Sequence, residues 1–307
     1  MISVISPIFN EVETIAELYE RVKNTLIESN ETEFELILVD NGSTDDSLNL
    51  MKELRLLDRR VKIVSLSKNF GHQGGILAGL VNAKGDAVIS IDGDLQQPPE
   101  LIKEMLALWR SGYEVVYTIK KEINRPRRIL NVARKIFYRL LSRISNLNLA
   151  YGQSDYRLLD RRAIDALLSM PETNKFIRGL VEWIGFAQIA VEYTPVRRRY
   201  GNSKFSLYSY INFALDGIFS FSLAPLRMVL VFGAIVAVCC IFYSFYLMLL
   251  GILLLMEFNV SNPPGWATIA VSITFLGGVQ LIAIGLVGEY TARAYAEAKK
   301  RPEFVIR

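Results

Sequence analysis

Asp92 and Asp94, separated by Gly93, are the residues of this chain best placed to do chemistry. They follow Ala87-Val88-Ile89-Ser90-Ile91, a short β-branched run that reads as a buried strand. The two carboxylates then lie at a strand's C-terminal end, on a tight turn that Gly93 permits. Open α/β sheets bind ligands at that edge. Carboxylates this close repel each other unless a cation neutralises them, and oxygen-rich sites suit Mg²⁺ or Mn²⁺. A metal held this way can bridge a diphosphate. The alternative is an acidic surface turn, because Asp-Gly is a common turn pair.

The elements that would position this pair alternate. Strands are expected at Ile2 to Ile5, Phe34 to Val39, Val61 to Leu66, Ala87 to Ile91 and Glu114 to Thr118. Between them, helices are expected at Glu11 to Ser29, Asp45 to Leu57, Gly71 to Ala83 and Pro99 to Ser111. Ile15, Leu18, Val22 and Leu26 share one face of the first helix. This rhythm predicts an α/β domain with a mostly parallel sheet and helices on both faces. Pro7 to Glu11, Asp40 to Asp45 and Ser67 to Gly71 would join Asp92 and Asp94 along one sheet edge. Asp40 could accept hydrogen bonds from a base or ribose. Ser43 to Asp46 could instead cap the next helix, and both can hold. His72, the only histidine, reads as a local structural residue, since no Ser/His/Asp or zinc pattern surrounds it.

The C-terminal third is different. Hydrophobic residues make up 51% of the chain, and the excess lies late in the sequence. Neither 228–256 nor 258–288 carries a charge, and each exceeds the ~20 apolar residues that cross a bilayer. A polar break from Glu257 to Gly265 separates them. Two transmembrane helices (about 228–256 and 266–288) joined by a tight hairpin are expected within 227–291. A buried core hairpin is the other reading. The loop lacks Lys and Arg. The preceding flank carries Arg197, Arg198, Arg199, Lys204 and Arg227, and the tail at 292–307 carries Arg293, Lys299, Lys300, Arg301 and Arg307. This asymmetry puts both termini in the cytoplasm. The first residues form a strand-like run, not a signal peptide. Cys239 and Cys240 are adjacent in the first span and offer neither a disulfide framework nor a metal motif.

Between these regions, about 125–146, Arg125, Arg128, Arg134 and other basic residues interleave with Ile129, Ile136, Phe137 and Leu140 at helical spacing. A basic amphipathic helix of this kind suits an anionic membrane face. Domain packing with a solvated basic face is the alternative. Nucleic-acid binding is disfavoured because aromatic interleaving is sparse. The aromatic-rich 205–226 reads as an interfacial connector.

Pro7-Ile8-Phe9-Asn10-Glu11, Val39 to Asp45 and Asp92-Gly93-Asp94-Leu95-Gln96 resemble glycosyltransferase family 2, with its GT-A (Rossmann-like) nucleotide-sugar fold. Ser154 to Leu159, Arg198 to Lys204 and two C-terminal spans narrow the resemblance to polyprenyl-phosphate glycosyltransferases, the bactoprenol (undecaprenyl-phosphate) glucosyltransferase branch above all. It covers essentially the whole chain. It implies a catalytic domain over 1–204, a nucleotide-sugar donor, Mg²⁺ or Mn²⁺, and a polyprenyl phosphate acceptor. Carried over by motif, Pro7, Glu11 and Asp40 hold the nucleoside. Asp92, Asp94 and Gln96 lie at metal and diphosphate, and Arg198 and Lys204 close over the diphosphate. On the basic helix, Arg125, Arg128, Arg134 and Tyr138 are candidates for the acceptor phosphate. The Gln-x-x-Arg-Trp motif of processive synthases is missing, which disfavours polysaccharide extension.

Asp155 is the family-matched base. A phosphate monoester is already largely dianionic at neutral pH, with a second pKa of about 6. A larger role for Asp155 is to orient a basic group, such as Arg157, or the acceptor phosphate. In-line attack predicts inversion. The preferred reaction joins UDP-glucose and undecaprenyl phosphate. A mannose synthase using GDP-mannose is the runner-up, and an inactive membrane scaffold is the alternative of another class. The resemblance further implies a multi-pass protein of the inner (plasma) membrane. It also implies a homo-oligomer, a tetramer in the family, with a flippase and a downstream glycosyltransferase as partners and no nucleic acid.

In a Cys-free background, a thiol introduced as Ser261→Cys should label from the extracytoplasmic side. A thiol near Glu303 should label from the cytoplasm. The reverse pattern contradicts the charge asymmetry.

Overall fold

The computed structural model describes residues 1–121, 152–172, 175–196, 223–255 and 265–307. The segment expected as a basic helix, with Arg125, Arg128, Arg134 and Tyr138, the segment bearing Arg198 and Lys204, and most of the expected 205–226 connector lie outside them. Two compact units are present. One comprises Met1–Gly217 with Lys300–Arg307, and the other Ile218–Lys299.

In the first unit β1 (Ile2–Ile8), α1 (Ile15–Glu28), β2 (Phe34–Asp40), α2 (Ser47–Leu57), β3 (Val61–Ser65), α3 (Gly71–Asn82) and β4 (Ala87–Ser90) alternate as expected. A 3₁₀ turn at Pro99–Leu101 leads into α4 (Ile102–Arg110), β5 (Val115–Lys120), β6 (Gln153–Asp160), α5 (Arg161–Ser169), α6 (Ile177–Trp183) and β7 (Gln188–Tyr193). The seven strands form one sheet in the order β3-β2-β1-β4-β6-β5-β7. The parallel expectation holds from β3 to β4, and for β5 with β7. It fails at β6, which runs antiparallel to both β4 and β5.

Strand alternation explains the two covered faces. Ile2, Val4 and Ile8 of β1 face a core with Ile15 and Leu18 of α1, Met51 of α2 and Ile102 of α4. Ile5 and Pro7 face α3. There, a Cβ on Gly79 would come within 2.9 Å of Ile5, and one on Gly75 within 2.9 Å of Pro7 Cβ. The small residues of α3 let it lie almost on the sheet, so its first turn arrives beside the C-terminal end of β1. Burial of each large side chain in this core contributes about 1.5–3 kcal/mol.

The second unit contains α7 (Ala224–Leu255) and α8 (Gly265–Ala298), which touch each other. Stretches of both, Ala224–Tyr243 and Val271–Ala298, are long and apolar enough to cross a membrane. Their side chains are outward-facing, as at Leu230, Phe242, Leu281 and Ile282. An exposed apolar surface of this extent needs an apolar environment.

The turn between α2 and β3 is fastened by Asp58. Its carboxylate accepts from Arg60 N–H (2.9 Å), from the Arg60 guanidinium and from Tyr19 Oη (2.9 Å). The Arg60 side chain holds its carboxyl well below the usual carboxylate range, against the opposing effect of burial. A depressed folded-state pKa adds stability that is complete above the unfolded value and lost as pH falls through the folded one. Asp58→Ala should therefore cost about 1–3 kcal/mol. Thermal unfolding of wild type and variant should differ at neutral pH, and the gap should narrow only in strong acid. A gap that persists undiminished in strong acid removes the ionic account.

Candidate active site

Four segments deliver the site, all from the edge where the parallel strands end. β4 ends at Ser90 and runs into Ile91-Asp92-Gly93-Asp94. Its antiparallel register with β6 pairs Ser90 with Arg157. Continuing that register two residues places Asp92 beside Asp155. Carboxylates distant in sequence thus meet because β6 inserts next to β4.

Asp155 is 6% exposed. Arg178, on α6, grips it with both ends of its fork: Nε donates to Oδ1 and Nη2 to Oδ2, each at 2.7 Å. Arg157 donates more weakly, at 3.3 Å to Oδ1, and also to the Ser154 carbonyl. Burial would raise the Asp155 pKa, but Arg178, with help from His72, holds it well below the usual carboxylate range. The basic partner of Asp155 is therefore Arg178 first and Arg157 second. Arg157 itself is buried, which lowers its pKa to about 10 against the opposing charge of Asp155. Its Nη1 has no hydrogen-bond partner among the described residues.

His72 stands at the start of α3, and its Nε2 lies 3.4 Å from both Asp92 Oδ1 and Asp155 Oδ2. Burial lowers its pKa, but the two carboxylates prevail and raise it to about 9. The local structural role expected from sequence gives way to a place at the centre of the carboxylate cluster. The available signal was its position just past a strand end, where α/β sheets carry their site residues. Asp92 is pushed up by burial and by the Asp94 and Asp155 carboxylates, with His72 opposing.

Gln97, also unforeseen, is fully buried. Its Oε1 accepts from the Asp92 N–H at 2.8 Å, and its Nε2 donates to the Asp92 carboxylate and to Ser154 Oγ. Gln96 differs: its carbonyl accepts from Val196 N–H, and its own N–H donates to Asp94 Oδ1 at 3.1 Å. The turn is not made by glycine freedom. Leu95 takes the left-handed conformation at φ 57°, a strained state for a bulky residue. Gly93 instead gives close packing, since a Cβ there would meet the end of the Ile8 side chain, Cδ1, at 2.5 Å.

The residues expected to hold a nucleoside lie on neighbouring loops. Asp40 is buried, and its oxygens accept from Ser43 N–H (2.8 Å) and Ser65 Oγ (2.9 Å). It shapes the loop that follows β2. Gly42 has φ +74°, and a Cβ there would meet the Lys68 carbonyl carbon at 2.6 Å. Pro7 and Glu11 are partly exposed. The backbone of Glu11 accepts from Thr14 Oγ1, which also donates to the Gly93 carbonyl.

Among the described residues no group of three or more His, Cys, Asp or Glu side chains is placed to hold a metal ion. Of the expected metal residues Asp92, Asp94 and Gln96, the two carboxylates are the charged ones. Their hard oxygens, at a corner where burial and the neighbouring carboxylates push the Asp92 pKa up, suit a cation whose remaining ligands would be substrate phosphates and water.

A sequence model of glycosyl transferase family 2 matches residues 3–168. The chain belongs to glycosyltransferase family 2. This transferase is 38% identical over 99% of its length to a Bacillus subtilis (strain 168) protein named "Uncharacterized glycosyltransferase YkcC", covering 92% of that protein. It is 36% identical, over 100% of its length and 98% of the relative, to the "Bactoprenol glucosyl transferase" of Shigella phage SfV. A crystal structure of a mycobacterial protein superposes with a TM-score of 0.51 at 21% identity, covering 71% of this chain and 72% of that one. The fold is the GT-A type.

Gln97→Leu should strand Asp92 and Ser154 without their buried partner, at a cost of about 1–3 kcal/mol. Thermal unfolding and turnover should both fall, while Gln96→Leu should leave stability near wild type. Equal stability losses would remove the distinction between the two glutamines.

Proposed function

We propose that this transferase moves glucose from UDP-glucose to undecaprenyl phosphate with inversion, giving a lipid-linked sugar at the cytoplasmic face of the inner membrane. The observation that carries this reading is the full-length similarity to a bactoprenol glucosyl transferase. The site chemistry supports it. Asp92 and Asp94 would hold Mg²⁺ or Mn²⁺ together with the donor diphosphate, and Pro7, Glu11 and the Asp40 loop would seat the nucleoside. When bound, the cation neutralises charge that develops on the departing diphosphate.

The protein's part is alignment. A dianionic acceptor phosphate needs no strong base. Asp155, clamped by Arg178, fixes a cationic wall against which a phosphate can be placed, while His72 links that wall to Asp92. Arg198 and Lys204 would cover the diphosphate. Arg125, Arg128, Arg134 and Tyr138 would meet the lipid phosphate at the headgroups, and α7 and α8 would anchor the enzyme as two membrane spans. A homo-oligomer, with a flippase and a second transferase that consumes the product, completes the proposed setting.

The deciding experiment offers purified full-length protein, undecaprenyl phosphate and Mn²⁺ a panel of nucleotide sugars and measures released nucleotide. UDP from UDP-glucose is expected. GDP from GDP-mannose alone would move the assignment to a mannose synthase, and no release with any donor would favour an inactive scaffold.

Asp94→Asn should remove most turnover while thermal unfolding stays near wild type, and EDTA should mimic it. Undiminished turnover in thoroughly chelated enzyme would sink the metal assignment. Asp155→Asn should lose activity across about pH 6 to 9, because Asn cannot hold Arg178 by charge. Recovery to the wild-type rate at the alkaline end would instead identify Asp155 as a proton acceptor.

A further inference from the structure

The last residues of the chain fold back onto the catalytic unit. Lys300 opens this tail in a left-handed conformation, φ 48°, and Lys300–Arg307 belong to the first compact unit. β3 is the edge strand of the sheet. Just past its end the tail pairs antiparallel, at a bridge between Leu66 and Ile306. Ser67 N–H donates to the Val305 carbonyl at 2.9 Å, and Arg307 N–H to the Ser65 carbonyl at 2.8 Å. Leu66 is buried.

Glu303 reaches a second segment. Its Oε1 lies 2.8 Å from Lys175 Nζ, with only 9% of the Lys175 side chain and 17% of the Glu303 side chain exposed. The same ammonium donates to the Glu172 carbonyl. The Glu303 carbonyl lies close enough to α3 that a Cβ on Gly74 would come within 3.6 Å of it.

Both attachment points lead straight into the site. From Ser65 to Ser67 the chain runs through Asn69 and Phe70 to His72. Lys175 precedes α6, which carries Arg178. The inner side of the first segment is already fixed, because Asn41 donates to the Gly71 carbonyl at 2.8 Å and accepts from Phe70 N–H at 2.9 Å. The tail fixes its outer side. Sheet-edge pairing is directional, and a largely enclosed ion pair has limited freedom of geometry, so together they set two segments against each other.

We infer that the C-terminal tail is a positioning element of the active site: by joining the β3–α3 loop to the segment before α6, it holds His72 and Arg178 in register around Asp92 and Asp155. Glu303 and Lys175 are positioning residues in this scheme and touch no reacting atom. The inference rests on the transferase reading for its kinetic consequence, though not for its structural one.

The test uses full-length wild type, Glu303→Gln, Glu303→Lys, and the reciprocal pair Lys175→Glu with Glu303→Lys. Turnover is measured with UDP-glucose and undecaprenyl phosphate, and backbone hydrogen exchange is followed over 66–74 and 175–183. A small displacement of catalytic groups costs about 10²-fold in rate. Glu303→Lys should lose about ten- to a hundredfold in kcat with little change in donor KM, and should exchange faster in both segments. The reciprocal pair should restore both readouts, and Glu303→Gln should fall between. The inference is overturned by wild-type kcat and exchange in Glu303→Gln and Glu303→Lys. It is equally overturned by a loss that the reciprocal pair does not restore. An inactive wild type would count against the transferase reading alone, and the exchange data would still decide the tether.

Discussion

Everything at this site follows from bringing negative charges together where water is scarce. Asp92, Asp94 and Asp155 converge on one corner of the sheet, and Asp155 is almost fully enclosed. A lone ionised carboxylate so placed would protonate. Arg178 prevents this with a bidentate grip, and His72 lies between Asp92 and Asp155. The compensation is uneven. Asp155 stays ionised, whereas Asp92 is pushed toward its neutral form. A cation would relieve the carboxylate repulsion on the side of Asp92 and Asp94, and a fixed ion pair holds the other side. On the proposed reading, that division would suit a donor diphosphate on one side and an acceptor phosphate on the other.

The scaffold makes the convergence unavoidable. Strand β6 lies antiparallel against β4, so Asp155 arrives opposite Asp92 by register alone. Helix α3 lies close on β1 because Gly75 and Gly79 leave space for Pro7 and Ile5, and this brings His72 down to the sheet edge. Gln97 then locks the turn by bonding both the N–H and the carboxylate of Asp92. These hydrogen bonds offset the left-handed strain at Leu95.

Much of this was legible in the chain. The first four strands and their helices follow from apolar periodicity, and Asp92 and Asp94 are visible because they follow a short apolar run. The family motifs name Asp155. The antiparallel insertion of β6 was not legible, because a strand's direction depends on its neighbours and not on its residues. Arg178 and His72 escaped for the same reason. Each is unremarkable in its own segment and acquires meaning only from the partner that the sheet supplies. The two glutamines show the finest limit. Gln96 and Gln97 are chemically identical, and only the turn decides which one is buried on Asp92. The tail poses a similar problem, since Glu303 to Arg307 reads as a charged chain end until the exposed edge of β3 gives its backbone a partner.

The geometry also bears on how Asp155 acts. A general base must receive a proton in the transition state and works best with a pKa near the working pH. Asp155 is held far below that, and protonating it would cost two short charge-assisted bonds to Arg178. That loss is a barrier to using this carboxylate as a base. The acceptor offers little reason to climb it, because a phosphate monoester with a second pKa of about 6 is already largely deprotonated. A carboxylate that cannot readily take a proton can still hold an arginine in one orientation. On the proposed reading, Asp155 would contribute most by staying charged and keeping Arg178 in place while the incoming phosphate attacks.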